Sequence, residues 1–595
     1  MNQRLATKNF LITILCLFTI GACVSPVQQG NSLKIATSSG LSQGTLNKNI
    51  ISWEDIPYAI PPEGDLRWKA PRPLVSPELN IEPQEGNGCL QEASIYAGIQ
   101  GEGIVGQEDC LYLDIKAPVN NLNRRLPVMF WIHGGGNTSG LKDIYNFSTM
   151  VRRHDVIVVS INYRLGAFGW FTHPAIQNNH KGIDKTSNFG TLDIIQALKW
   201  VKNNIELFGG DPNNVTIFGE SAGGHNVLSL LVAPQAKGLF HKAISQSGYT
   251  TSVSKNNAYI NNKDDPTFNH TSNEVVRRLI PNSDKLSSIE LKNKLYSLTT
   301  EEFFSDYSDK SNLEVPLLTN DGIVIPKVGL EKALKDSKYV KNVPFMAGSN
   351  RDEVKLWIAA AEYFVELDFS AIGSILGIPR VKLKNEDSFE AFNYYRSEAW
   401  KIRGVIEPIT SLNIAGNLNT YAYRYDWDDH RRFFIADFKK LIGASHGTEI
   451  PLITGNNDIV GGYGFLIYPS GPSKRFLSKN MMLLWSNFAK NGVPGVSTNG
   501  IEWLSYNSLE ETNFLILDNK RNMKIANLYT SYKELVEQLN YDARVNELER
   551  CVILYQMGTF VGNDIFNEIK QFSNFGCDRK DAKKFLEANA SFIEY

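Results

Sequence analysis

The sequence predicts an α/β fold, with a central and mostly parallel sheet covered by helices on both faces. Three observations carry this expectation. Short apolar runs rich in β-branched residues, such as 126–132, 156–161 and 215–218, alternate with stretches whose apolar residues recur at helical spacing. One of these runs passes abruptly into a helix through Gly219-Glu220-Ser221-Ala222-Gly223, a G-x-S-x-G turn. Two more polar and irregular segments, 267–319 and 357–413, interrupt the alternation and read as insertions capping the sheet, where substrate selectivity would reside.

The chain begins with a targeting segment. Residues 1–9 carry Arg4 and Lys8, and the apolar run 10–20 is too short to span a bilayer. It ends in Ile20-Gly21-Ala22-Cys23, which resembles a bacterial lipoprotein cleavage box. Residues 1–22 are therefore expected to be a lipoprotein-type signal peptide, with Cys23 the lipidated first residue. Cleavage as an ordinary signal peptide is the alternative. The expected location is the cell envelope, held by the lipid at Cys23, with a secreted or periplasmic soluble form as the other reading. Residues 23–32 form a polar tether rich in Ser, Gly and Gln, and a first strand follows near Leu33.

The stretch from Trp53 to Pro71 is dense in proline, which argues for a fixed irregular crossing and not a regular element. Residues 108–115 alternate like a half-buried strand. The buried-strand candidate 126–132 then leads into His133-Gly134-Gly135-Gly136. Consecutive glycines after a strand leave backbone N–H groups open to an approaching oxygen, as an oxyanion hole requires. Residues 188–208 form a helix stopped by Gly209-Gly210, and Asp211-Pro212 opens the strand into Ser221. Further short strands are expected at 243–248, 343–348 and 421–426. No repeat or linker divides the chain, so 33–539 reads as one large domain followed by a helical C-terminal extension, 540–595.

Composition sets limits on function. The formal net charge of −2 over 595 residues, without a long Lys/Arg block, gives no support for nucleic-acid binding. Six cysteines are present; setting aside Cys16 in the signal segment and Cys23 leaves four. An even number in an oxidising compartment suggests two disulfides, and local pairing, Cys89–Cys110 and Cys551–Cys577, is the simplest of three connectivities.

A serine at such an elbow needs a base, and the base needs an acid; on an α/β-hydrolase sheet they follow in the order Ser, acid, His. That order removes His133, His154, His173 and His180. His225, one turn past Ser221, reads as helix packing, while His241 begins a strand region. His270 lies in a polar insertion and His430 in a solvated charge cluster. His446 remains, in a mobile-looking loop of small residues. Asp352 and Glu353 both follow the strand 343–347 and are both candidates for the acid.

The chain resembles the type-B carboxylesterases, the family of cholinesterases and bacterial para-nitrobenzyl esterases. The resemblance is carried by Ile56-Pro-Tyr-Ala-Ile-Pro-Pro62, Glu108-Asp-Cys-Leu-Tyr-Leu113, Trp131-Ile-His-Gly-Gly-Gly136 and Asn162-Tyr-Arg164. It continues with Phe208-Gly-Gly-Asp-Pro212, Gly219-Glu-Ser-Ala-Gly-Gly224, Gln246-Ser-Gly248, Asp352-Glu353, His446-Gly-Thr-Glu449 and Trp485-Ser-Asn-Phe-Ala-Lys-Asn-Gly-Val-Pro494. It spans about 33–539 and implies an α/β-hydrolase fold. It implies Ser221 as nucleophile, Glu353 as acid, His446 as base, and the N–H groups of Gly135, Gly136 and Ala222 as oxyanion donors. A Cys89–Cys110 disulfide is likewise implied, and the chemistry requires no metal or cofactor.

By sequence position Glu220 and Glu449 are expected to approach His446 from the pocket wall. A small-molecule ester is the expected partner, and oligomeric state is left open. The loop 90–109 lacks the choline-binding tryptophan of cholinesterases, with Tyr96 its only aromatic, so neutral esters are expected. The rival readings are a lipase and a non-catalytic adhesion protein on the same fold.

Overall fold

A computed structural model of the chain describes residues 33–589, apart from 85, 95–98, 100, 261–270, 308–317, 369–379, 433–435, 458, 460–463, 507–512 and 560–564. The signal segment, the tether, Cys23, Tyr96 and His270 lie outside the described residues.

An eleven-stranded sheet forms the centre. In chain order its strands are β1 (Thr45–Asn47), β2 (Ile50–Pro57), β3 (Tyr112–Pro118), β4 (Leu126–Ile132), β5 (Ile157–Ile161) and β6 (Gly210–Glu220). They continue with β7 (Lys242–Gln246), β8 (Phe345–Asn350), β9 (Thr420–Tyr425), β10 (Asn513–Leu517) and β11 (Lys524–Asn527). The spatial order is β11-β10-β9-β8-β7-β6-β4-β5-β3-β2-β1. All pairings from β10 through to β5 are parallel, and antiparallel strands complete both ends.

The parallel strands β4, β5, β7 and β8 are buried along their whole length because helices cover both faces. Every residue of β4 is buried, and Phe130 and Ile132 pack with one side of the sheet while Met129 and Trp131 pack with the other. Pro127 in this central strand cannot donate to a ladder. It is tolerated where the register of β6 shifts between Gly210 and Val215. The principal helices are α1 (Phe189–Asn204), α2 (Ala222–Val232), α3 (Glu386–Lys401), α4 (Glu407–Ile414) and α5 (Pro472–Asn491). A C-terminal group follows: α6 (Tyr532–Tyr541), α7 (Glu547–Thr559), α8 (Phe566–Lys570) and α9 (Arg579–Ala588). Among the described residues no helix is long and apolar enough to cross a membrane.

Two expectations about the elements need correction. Residues 53–57 are not irregular: they belong to β2, antiparallel to β3, and proline enters only at its last residue. A register shift between Trp53 and Ile56, with Asp55 at φ 55°, absorbs the local distortion. Strand β3 is buried on nearly all positions instead of alternating, and β9 is buried likewise, with Ala422 packed on one side of the sheet and Tyr421, Tyr423 and Tyr425 on the other. In the C-terminal extension Val552, Leu554, Phe566 and Leu586 join the main core cluster with Phe389 and Phe392 of α3. Sulfur–sulfur bonds join Cys89 to Cys110 and Cys551 to Cys577.

Candidate active site

β6 ends at Glu220, α2 begins at Ala222, and Ser221 forms the elbow between them at φ 58°, ψ −123°. A non-glycine residue with positive φ is strained and is held there only by its surroundings. Here the clamp is close packing. A Cβ on Gly219 would lie 2.6 Å from Ile132 O and from the Gly223 backbone, and one on Gly223 would collide with Ile132 O. The serine's own N–H donates to Gln246 O at 2.8 Å, on the neighbouring strand β7.

The glycine run beyond β4 lies against this elbow, since a Cβ on Gly134 would be 3.1 Å from Ser221 Cβ. Gly135 and Gly136 have φ of 98° and 63°, and a side chain on Gly135 would collide with Ser139 O. Among the described residues, no protein acceptor takes the N–H of Gly135 or Gly136. The N–H of Ala222 opens α2, where a helix has no internal partner to offer.

The loop is anchored from below. Gly140 N donates to Gln91 Oε1 at 2.8 Å, and Lys142 N donates to Asn162 Oδ1 at 2.9 Å. The fully buried Lys142 ammonium lies 2.6 Å from Asp55, 2.9 Å from Asp114 and 2.8 Å from Asp143. Burial opposes its charge, but the three carboxylates hold it cationic.

His446 Nδ1 lies 2.7 Å from Glu353 Oε2. The other Glu353 oxygen accepts from Ser247 Oγ and from Asn350 N, both at 2.7 Å, and Glu353 O accepts from His446 N at 3.1 Å. Asp352 turns the other way. Its carboxylate accepts from Ala444 N at 3.0 Å and Asn393 Nδ2 at 2.8 Å, and sits beside Arg351. Burial would raise its pKa, but Arg351 and Lys355 hold it down to about 2. The neighbouring acids thus divide the work: Glu353 faces the imidazole and Asp352 ties down its loop.

Glu220 Oε1 lies 3.1 Å from His446 Nε2, without the alignment of a hydrogen bond. Glu449 is fully buried nearby, accepting from Asn350 Nδ2 at 2.8 Å and Gln246 Nε2 at 3.2 Å. Burial pushes Glu220 up to about 8, offset in part by His446. Burial would lower His446, but Glu220, Glu353 and Glu449 outweigh it and push the imidazole up to about 9. The two titrations belong to one pair, because a proton on Glu220 removes much of the field that raises His446.

Several contributors gave no signal in the sequence. Trp357 and Trp400, from the 357–413 insertion, lie 5.0 and 4.6 Å from the His446 ring and stack on each other at 5.9 Å. Trp400 Nε1 also donates to Ser247 O at 3.0 Å. His430 is not in a solvated cluster. It is buried against Trp427 and Tyr468, 2.7 Å from Gly443 O at the root of the His446 loop. The surrounding acids are taken by Arg424, Arg351 and Lys439, which frees the ring to turn inward. The His446 loop is correspondingly well packed: Ala444 and Ser445 are fully buried. His225 packs on Tyr249 and lies 2.8 Å from Thr251 O.

A parallel sheet with a serine elbow after a central strand and a histidine–carboxylate pair at its C-terminal edge defines an α/β-hydrolase. The model of the carboxylesterase family matches residues 31–535. The para-nitrobenzyl esterase of Bacillus subtilis is 32% identical over 504 residues, covering 82% of this chain and 95% of that protein. Liver carboxylesterase 1 of Oryctolagus cuniculus is 32% identical over 482 residues, 74% of this chain and 81% of that one. Among solved structures, a PNB esterase superposes with a TM-score of 0.64 at 27% identity, covering 84% of this chain and all of that chain. The chain belongs to the carboxylesterase family, and is a carboxylic ester hydrolase.

Proposed function

We propose that the chain hydrolyses small neutral carboxylic esters through an acyl-enzyme on Ser221. His446 takes the serine proton as the oxygen attacks the carbonyl, and the N–H groups of Gly135, Gly136 and Ala222 receive the oxyanion. His446 then returns the proton to the departing alcohol, and activates the water that releases the acid. Glu353 orients the imidazole and stabilises its cation. The observation that supports this reading most is the 2.7 Å approach of His446 Nδ1 to Glu353, with His446 Nε2 3.1 Å from Glu220, the residue that precedes the strained Ser221 elbow. Glu220 and Glu449 support the pocket wall and set the proton balance of His446. The test is turnover of a short-chain para-nitrophenyl ester. Ser221→Ala should lose several orders of magnitude in kcat with the fold intact, and retention of activity would displace the serine from its role.

The same reading takes Cys23 as the site of a lipid anchor holding the enzyme at the cell envelope. The motif Ile20-Gly21-Ala22-Cys23 supports it.

A further inference from the structure

The family match ends at residue 535, yet the chain continues through α7, α8 and α9, and what they pack against is specific. Helix α3 is buried on nearly every side. Asn393, Ser397 and Trp400, spaced i, i+4 and i+7, share one face. Asn393 Nδ2 reaches Asp352, Ser397 Oγ donates to Asn393 Oδ1 at 3.1 Å, and Trp400 lies on His446 while donating to Ser247 O. This face therefore touches the acid loop, the imidazole and the serine that binds Glu353.

A different face of α3 meets the extension. Ser388 Oγ donates to Glu549 Oε1 at 2.5 Å, and Tyr395 OH donates to Asp542 Oδ2 at 2.9 Å. Glu549 is buried in the first turn of α7 and also accepts from Tyr363 OH at 2.8 Å, while the Tyr363 ring meets Phe585 of α9 at 5.1 Å. Cys551 on α7 is bonded to Cys577, just before α9, so one covalent link closes the two helices onto each other behind α3. In the turn that follows α3, Arg403 Nε donates to the Tyr532 hydroxyl of α6 at 2.8 Å.

We infer that the described residues of 540–589 are a disulfide-closed strut that holds α3 in place and so keeps Trp400 seated on His446. Trp400 is a positioning residue in this scheme: it fixes the ring plane from one side and braces Ser247 from the other. The inference rests on His446 being the base, as proposed above. A misplacement of a catalytic group by about 1 Å from a distant change can cost about a hundredfold in rate. Loosening the strut should accordingly lower kcat and leave ester binding largely alone.

The test compares the parent with Ser388→Ala/Tyr395→Phe, which removes two polar links and keeps both apolar surfaces, and with Cys551→Ser/Cys577→Ser. Each is made again in a Trp400→Phe background. Steady-state turnover of para-nitrophenyl acetate is measured against pH, with competent sites counted by a serine-reactive phosphotriester. The expected result is a fall in kcat of about tenfold per competent site, KM within about twofold, and a moved acidic limb. In the Trp400→Phe background the same strut changes should add little, because both act through one contact. Parental kcat in the polar-link variant, or the same fold-loss in both backgrounds, would overturn the strut. Should the cysteine variant not fold, the polar-link variant still decides. Ser221→Ala run alongside keeps the two readings apart: its activity would refute the triad, whereas an inactive Ser221→Ala beside unaffected strut variants refutes only the strut.

Discussion

Replacing Glu220 by glutamine should move the acidic limb of the kcat/KM profile to lower pH. In the proposed mechanism His446 must be neutral to accept the Ser221 proton, so the limb reports its pKa in the free enzyme. That pKa is pushed up to about 9, and Glu220 is the leading cause in that direction. A full charge 3.1 Å from Nε2 is worth at most about 5 kcal/mol at an effective dielectric of about 20. The realised effect must be smaller, because burial drives Glu220 itself to bind a proton below about 8. We expect the limb to fall by about one to two pH units, about 1.4 kcal/mol each. The sign is fixed: removing a carboxylate destabilises the imidazolium, so the variant keeps its plateau activity to more acidic pH than the parent. The assay is para-nitrophenyl acetate hydrolysis from pH 5 to 10, with buffers matched in ionic strength. Superimposable profiles would refute the coupling, and a limb displaced to higher pH would refute the charge assignment.

Glu353→Gln should lower kcat/KM by about 10³- to 10⁴-fold by removing the charge that orients and stabilises His446. Asp352→Asn should cost far less activity but more stability, about 1–3 kcal/mol, since it removes one of the two carboxylates on Arg351, leaving Asp428, and loosens Ala444; thermal unfolding and turnover measured together check the split, and the reverse ordering would exchange the two acids. Because Asp352 is held down to about 2, its contribution is present above the ordinary carboxylate pKa and should vanish only as pH falls towards 2. Cys23→Ala should shift the protein from the membrane to the soluble fraction, and unchanged fractionation would exclude the anchor. Of two isosteric acetates, one carrying trimethylammonium and one tert-butyl, the charged ester should hold no advantage; a kcat/KM more than about tenfold higher, about 1.4 kcal/mol, would reveal a cation site.

Much of the fold was legible because parallel strands advertise themselves. Val128–Ile132 is apolar at every position and Ile157–Ile161 at all but Ser160, and only burial on two faces asks for that. The elbow was legible for a similar reason, since Gly219 and Gly223 answer to steric demands that any sequence at that crossing must meet. Asp352 and Glu353 could not be separated from composition or spacing. Adjacent residues point apart, and which one meets His446 depends on β8 and the loop after β9 coming together 93 residues apart in sequence. Trp400 and His430 were invisible for the same cause. A tryptophan in a polar helix and a histidine among charges acquire their positions only from tertiary packing, and nothing local marks the imidazole or the carbonyl they will touch.

Lys142 has a consequence for how the enzyme endures a changing medium. Asp55, Asp114 and Asp143 gather closely enough to be a seat for a divalent ion, and the chain fills that seat with its own ammonium. A tethered cation cannot be diluted away, stripped by a chelator or exchanged for a competitor of another radius. The base of the glycine loop is therefore supplied at the ribosome together with the rest of the fold. Its scaffold travels complete into any compartment, however poor that compartment is in calcium or magnesium.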